Sequence, residues 1–153
     1  PLLEHVLERL ASVSGSTRSE FLTVLQKSHC VSADNAHAVH PNYTDRHELN
    51  NAPYVNEGVV VKNNVSQRYA TSPSSVVPIV HAAVTAGVNL QTFSSRNNIA
   101  CGSTIGPITA TRLGIETVDI GVPQLSMHSI REMCGTKDPV DLVALLGAYF
   151  SRS

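Results

Sequence analysis

One carboxylate and two imidazoles lie close together in a short segment, in which Asp34 is followed by His37 and His40. Asp34 comes directly after an apolar run that predicts a strand, and ligands in α/β sheets gather outside the carboxyl ends of strands. Carboxylate oxygens and imidazole nitrogens are ligands that zinc accepts. An aspartate after a strand is also a common turn former or helix cap. The segment therefore predicts a metal or substrate site, with a turn or capping role for Asp34 as the alternative.

A further histidine follows a strand much later in the chain. His128 comes shortly after the run 115–120, which also reads as a strand, so it too lies at a carboxyl edge. If the sheet brings Asp34 and His128 together, they supply two ligands, whereas a catalytic zinc ion usually takes three from protein. The alternative for His128 is a hydrogen-bonded surface or capping histidine.

Other side chains could contact a substrate. Lys62 ends the apolar run 59–61, where a cation could receive a carboxylate, although a strand-end lysine often extends to solvent. Tyr69 could donate a hydrogen bond to a developing oxyanion, or could simply pack. The small residues of 101–107 could present backbone N–H groups at a helix N-terminus. Cys101 is not favoured as a nucleophile, because no Cys/His arrangement can be established from the sequence alone.

The elements that must position these residues alternate along the chain. Helices are predicted to begin near Leu2, Thr17, Ser72, Ser103 and Asp138, and strands to span 29–33, 59–61, 90–94 and 115–120. The first helix is expected to bury one apolar face, and Asp138-Pro139 to cap the last helix. Pro78 is expected to kink the third helix or delay its start. This alternation predicts an α/β fold with a mainly parallel sheet covered by helices on both faces.

Composition narrows the classes of function. The chain has 153 residues, of which 42% are hydrophobic and 15% charged, and a net charge of −1. This composition describes one globular domain with little charged surface, and part of that surface could be an interface. The near-zero net charge disfavours nucleic-acid and membrane-surface roles.

Three widely spaced cysteines predict a reducing, cytoplasmic compartment. Glu4 and Glu8 argue against a secretory signal, and the start at Pro1 suggests a fragment or processed chain.

Four motifs in this order carry a family resemblance. They are Ser-Ala-Asp-Asn-Ala-His-Ala-Val-His-Pro-Asn-Tyr, Gln-Arg-Tyr-Ala, Cys-Gly-Ser-Thr-Ile-Gly-Pro and Pro-Gln-Leu-Ser-Met-His-Ser-Ile-Arg-Glu. With them the chain resembles the C-terminal part of aspartyl aminopeptidases, which are dinuclear zinc exopeptidases. The resemblance covers most of residues 1–153 and implies an incomplete three-layer α/β/α sandwich of the zinc-exopeptidase type.

The resemblance also implies roles for particular residues. Asp34 and His128 match two metal ligands of the family, and His37, Lys62 and Tyr69 match residues of its substrate pocket. Lys62 would pair with the acidic side chain of a peptide that begins with Asp or Glu. Two zinc ions would polarise the scissile carbonyl and activate a bridging water. The family further implies a large homo-oligomer.

The chain departs from the family pattern in one respect. The first metal-binding His, the bridging Asp and the Glu pair that supplies the general base and a ligand fall in an earlier segment, which this sequence does not contain. Residues 1–153 are therefore expected to be the C-terminal half of a catalytic domain, inactive alone or active only with a complementary N-terminal half. The alternative is a non-catalytic fragment that acts as an interaction, assembly or antigenic module.

Overall fold

A computed structural model describes residues 2–151, so Pro1, Arg152 and Ser153 lie outside the description that follows. The helices are α1 (Leu2–Val13), α2 (Arg18–Gln26), α3 (Pro73–Ala86), α4 (Ile105–Leu113) and α5 (Asp138–Phe150). The strands are β1 (His29–Ala33), β2 (Ala36–His37), β3 (Val59–Asn63), β4 (Leu90–Ser94), β5 (Glu116–Gly121), β6 (Pro123–Leu125) and β7 (Met133–Cys134). Short 3₁₀ helices at Pro41–Arg46 and Leu49–Asn51 interrupt the long loop after β2.

The main sheet has the strand order β1-β5-β3-β4. β1 is parallel to β5 and β3 is parallel to β4, whereas β3 and β5 run antiparallel. The prediction of a mainly parallel sheet is therefore confirmed, with an antiparallel junction at its centre. A small second sheet, in the order β2-β6-β7, extends from the carboxyl ends of β1 and β5.

Helices cover both faces of the main sheet, which confirms the three-layer α/β/α architecture. On one face α3 and α5 pack against each other and against the strands, around a core that includes Ile79, Leu145 and Val118. On the other face Phe21 of α2 and Leu113 near α4's end form a separate cluster. The neighbouring β1 residues Cys30 and Val31 pack against different clusters, because successive side chains of a strand point to opposite faces of the sheet.

Several helix ends follow local signals in the sequence. Thr17 and Glu20 form the predicted capping box of α2, and Ser72 caps α3, which ends at Gly87 with φ +66°. The prediction for Pro78 is wrong as to the start, since α3 begins at Pro73 and continues through Pro78. The buried residues that follow Pro78 keep this helix packed on the sheet.

The last helix begins where predicted, but the expected cap is wrong. The carboxylate of Asp138 is fully buried and accepts hydrogen bonds from the backbone N–H groups of Asn56 at 2.7 Å and Gly58 at 3.3 Å. It therefore fixes the loop before β3 and leaves the first turn of its own helix without a side-chain cap.

The prediction for the apolar face of α1 is also wrong. None of the residues from Leu2 to Val13 is buried, and Leu2, Leu10 and Val13 are 78%, 61% and 88% exposed. Only Leu7 and Ala11 pack, partly, against the cluster around Phe21. Within residues 2–151 no helix is long and apolar enough to span a bilayer.

Replacing Leu145 by Ala should destabilise the protein by about 2–5 kcal/mol, because the side chain is fully buried between α3 and the sheet and its loss leaves a cavity. The free energy of unfolding, measured with urea, checks this value. Val143→Ala, on the exposed side of the same helix, is the matched control and should change stability by less than about 0.5 kcal/mol. Equal effects of the two substitutions would contradict the assigned face of α5.

Candidate metal and substrate site

Asp34 lies one residue beyond the end of β1, at the corner where β2 begins. Its backbone N–H donates to Ile120 O at 3.0 Å, and its carbonyl oxygen approaches Gly121 so closely that a Cβ there would overlap it. The side chain is about half exposed, and Oδ1 accepts a hydrogen bond from Asn35 N–H at 2.7 Å. The backbone of Asp34 is thus fixed by β5, while its carboxylate remains accessible.

Lys62 lies inside β3 and is only 1% exposed, so the alternative of a solvent-reaching lysine is wrong. Its Nζ donates to Asn35 O at 3.3 Å, lies 3.9 Å from Asp34 Oδ2 and sits 5.1 Å from the centre of the Tyr69 ring. Burial lowers the pKa of Lys62, and the negative charges of Asp34 and Asp119 oppose that shift. The ammonium group is therefore held beside Asp34 in a place that water scarcely reaches.

The two predicted histidines lie near the same corner. His37 is in β2, which pairs with β6, and His128 follows β6 in an exposed turn. Burial lowers the pKa of His37, and the charges of His128 and Lys62 lower it further while Asp34 raises it. His128 has a left-handed backbone (φ +69°), and its N–H donates to Glu132 Oε1 at 2.5 Å. His128, Lys62 and Asp34 are therefore each close enough to His37 to affect its charge.

Tyr69 is buried in the loop between β3 and α3. Its ring packs edge-on against Phe93, with 6.2 Å between the ring centres, and Tyr69 and Cys101 line the same cavity. Burial raises the pKa of the Tyr69 phenol, and the neighbouring Cys101 side chain raises it further. The hydroxyl therefore keeps its proton at neutral pH and can serve as a donor.

A cavity of about 500 Å³ opens beside this corner. His37 and Tyr69 line it, whereas Asp34, Lys62 and His128 lie next to it and are not among its lining residues. Its described walls contain no aspartate or glutamate, but they do contain one arginine, three histidines and three aromatic rings from tyrosine and phenylalanine: Arg46, His37, His40, His47, Tyr43, Tyr69 and Phe93. The cavity is thus suited to an uncharged or negatively charged ligand.

Sequence reasoning missed Asp119, an aspartate in the middle of β5 that is fully buried. Its carboxylate accepts hydrogen bonds from Ala70 N–H at 2.7 Å and from the Thr104 hydroxyl at 3.0 Å. α4 begins at Ile105, two residues later than predicted, and the Thr104 hydroxyl bonds to Asp119 instead of capping the helix. The only signal in the sequence was an acidic residue inside an otherwise β-branched run.

The described residues do not by themselves form a metal site. Across residues 2–151 there is no group of three or more His, Cys, Asp or Glu side chains that could hold a metal ion. Asp34 and His128 are nevertheless ligands of the type that zinc takes, one is fixed by the sheet, and both side chains are accessible. The donor set fits zinc in kind and is too small to bind it as a catalytic site does.

Comparison with known proteins shows the class of protein and the family to which the chain belongs. The class is that of zinc metalloproteases, since a sequence model described as "Aminopeptidase I zinc metalloprotease (M18)" matches residues 1–150. Because the match covers nearly the whole chain, the chain belongs to the M18 peptidase family.

Individual relatives agree with this assignment. A probable M18 family aminopeptidase 2 of Pseudomonas fluorescens is 48% identical over 151 residues, which cover 99% of this chain and 34% of that protein. A chain in the solved complex of Ape4 and Nbr1 superposes with a TM-score of 0.91 at 45% identity, over 97% of this chain and 28% of that one. For the mApe1 dodecamer of S. cerevisiae the TM-score is 0.83 at 33% identity, over 99% of this chain and 33% of that one. This chain thus spans about a third of the length of the relatives it matches.

Proposed function

We propose that residues 1–153 are the C-terminal half of the catalytic domain of a zinc aminopeptidase that removes N-terminal Asp or Glu from peptides. The observation that carries this proposal is the corner itself, where an accessible carboxylate fixed by the sheet stands 3.9 Å from a buried lysine. Membership of the M18 family supports the reaction class, and the charge of the corner supports the substrate class.

In this proposal Asp34 and His128 hold zinc. A bound zinc ion supplies Lewis acidity toward the scissile carbonyl. His37 stands next to the two ligands, and because its pKa is lowered it is mostly neutral at neutral pH, so one ring nitrogen can accept a proton or a hydrogen bond. Tyr69 keeps its proton and can donate to an oxygen that gains negative charge during the reaction.

Selectivity for acidic residues would come from positive charge and from cavity walls whose described residues include no aspartate or glutamate. Lys62 is the buried cation closest to Asp34, and Arg46 lies on the wall of the adjoining cavity. A hydrogen bond to a charged partner contributes about 1.5–3 kcal/mol, so a substrate carboxylate that reaches Lys62 gains roughly 10- to 100-fold in binding over an uncharged analogue.

A metal site with only two ligands from this chain also implies partners. The remaining metal ligands and the general base would come from the complementary N-terminal half of the domain, and the complete enzyme would be a cytoplasmic homo-oligomer. The dodecamer formed by mApe1 supports an oligomeric assembly. The chain alone, with Asp34 and His128 as its only zinc ligands at this corner, would have no peptidase activity.

The experiment uses the full-length protein that contains residues 1–153 and four peptides that differ only in the first residue. Peptides that begin with Asp or Glu should be cleaved with kcat/KM roughly 10- to 100-fold above those of the matching Asn and Gln peptides, because only a carboxylate can pair with Lys62. Chelation of the metal should abolish the activity and added zinc should restore it. Equal rates on all four peptides would refute the acidic preference.

Residues 1–153 expressed alone provide the second arm. No cleavage of any peptide is expected from this chain, and addition of the N-terminal half should restore activity. Turnover by the chain alone would refute the incomplete site, whereas inactivity that the N-terminal half does not relieve would favour the alternative of a non-catalytic interaction module.

A further inference from the structure

Asp119 is a buried carboxylate that connects two separate segments of the chain. It lies on β5, and each of its oxygens accepts one hydrogen bond, Oδ2 from Ala70 N–H and Oδ1 from the Thr104 hydroxyl. Its own backbone N–H donates to the hydroxyl of Thr71 at 3.0 Å. The loop after β3 and the start of α4 are thus tied to the same residue of the central strand.

The contact with α4 is too close to allow a side chain at Gly106. A Cβ built on Gly106 would overlap both oxygens of the Asp119 carboxylate. The first turn of α4 therefore rests directly on this group, and a bulkier residue at either position would push the helix away from β5.

The two tied segments are also two walls of the cavity. One carries Tyr69 and the other carries Cys101, and both residues line the cavity. They are joined to each other by Arg68, next to Tyr69 in the chain, whose Nε donates to Cys101 O at 3.0 Å. The ring of Tyr69 lies over the ammonium group of Lys62.

We propose that Asp119 is a positioning residue that clamps the walls carrying Tyr69 and Cys101 together, and so holds the Tyr69 ring over Lys62. Its effect on peptide hydrolysis rests on the proposed function, but its effect on the two walls does not. Asp119 contacts no substrate in this arrangement, and it acts through hydrogen-bond geometry. An asparagine can keep that geometry, because its carbonyl accepts from Ala70 N–H and its amide donates to the Thr104 oxygen.

The matched control is Asp138, the other fully buried aspartate of the described chain that accepts two hydrogen bonds. It fixes residues 56–58 and is not among the residues that line the cavity. Asp119→Ala and Asp138→Ala each remove a buried acceptor with two bonds, so both should destabilise the protein. Only the first should change the cavity.

The test measures two properties of the full-length protein. The first is the rate at which a neutral alkylating reagent modifies Cys101, followed by mass spectrometry of the peptide that contains it. Asp119→Ala should raise this rate about tenfold, since local opening of the walls exposes the partly accessible thiol more fully, whereas Asp138→Ala and Asp119→Asn should stay close to wild type. The second is the split between kcat and KM, in which Asp119→Ala should lower kcat by about tenfold or more and Asp119→Asn should restore it.

The outcomes separate the clamp from the proposed function. Equal Cys101 modification in Asp119→Ala and Asp138→Ala would overturn the clamp, and so would an Asp119→Asn variant that behaves like Asp119→Ala. If Cys101 modification rises as expected but the wild-type protein cleaves no acidic peptide, the clamp stands and the proposed function falls. Should Asp119→Ala fail to fold, Thr104→Val removes one of the two bonds, and an unchanged Cys101 rate in it would overturn the proposal.

Discussion

Asp34→Ala and His128→Ala should each abolish metal-dependent peptide hydrolysis in the full-length protein. Loss of a residue that merely orients a metal ligand costs about 10- to 100-fold in affinity or activity, and loss of a ligand itself costs more. Both side chains are accessible and few contacts depend on them, so the fold should survive either substitution. The measurements are bound zinc per chain, by elemental mass spectrometry, and kcat/KM on a peptide that begins with Asp.

Two exposed residues of the same types provide the controls for this experiment. Asp45 lies in the 3₁₀ helix after β2, and His81 lies on the exposed side of α3. Asp45→Ala and His81→Ala should retain the wild-type metal content and rate. Full zinc occupancy and full activity in Asp34→Ala and His128→Ala would show that these residues are not ligands.

Lys62→Met should remove the preference for acidic substrates. The unbranched methionine fills most of the same space under the Tyr69 ring but cannot pair with a carboxylate. We expect kcat/KM for Asp and Glu peptides to fall by roughly 10- to 100-fold, and the values for Asn and Gln peptides to change only a few-fold. The ratio between the two pairs of peptides is the quantity that tests the role of Lys62.

Lys137→Met is the matched control for a lysine that pairs with an aspartate elsewhere. The Lys137 side chain is 59% exposed and bonds to Asp141 on α5, so its loss should leave the substrate ratio unchanged. An acidic preference that persists in Lys62→Met would point to another cation, for which Arg46 on the cavity wall is the next candidate. Preference lost equally in both variants would indicate a general effect of charge.

Features of the fold that depend on neighbouring residues in sequence were predictable. The bounds of β1 and β4, the capping box at Thr17 and the end of α3 at Gly87 all agree with the structure. Each depends on periodicity or on a cap within a few residues, which a local pattern contains. The same holds for the placement of Asp34 at a carboxyl edge of the sheet.

Features that depend on distant partners were not predictable. Burial of Lys62 requires Asn35 and Tyr69, and the contacts of Asp119 reach Ala70 across 49 positions and Thr104 across 15. Asp138 looked like a helix cap because its partners, Asn56 and Gly58, lie 82 and 80 residues earlier in the chain. For each of these polar side chains, tertiary contacts rather than the neighbouring sequence determined the role.

The position of β5 between β1 and β3 has a consequence for biosynthesis. While the polypeptide is growing, β3 and β4 can associate as soon as both have emerged, but β1 has no partner in the main sheet until residues 116–121 follow. Pairing across such a separation is slow, because the intervening loop must close first. The corner that carries Asp34 therefore matures late, and the proposed zinc site would become complete only after this strand has left the ribosome.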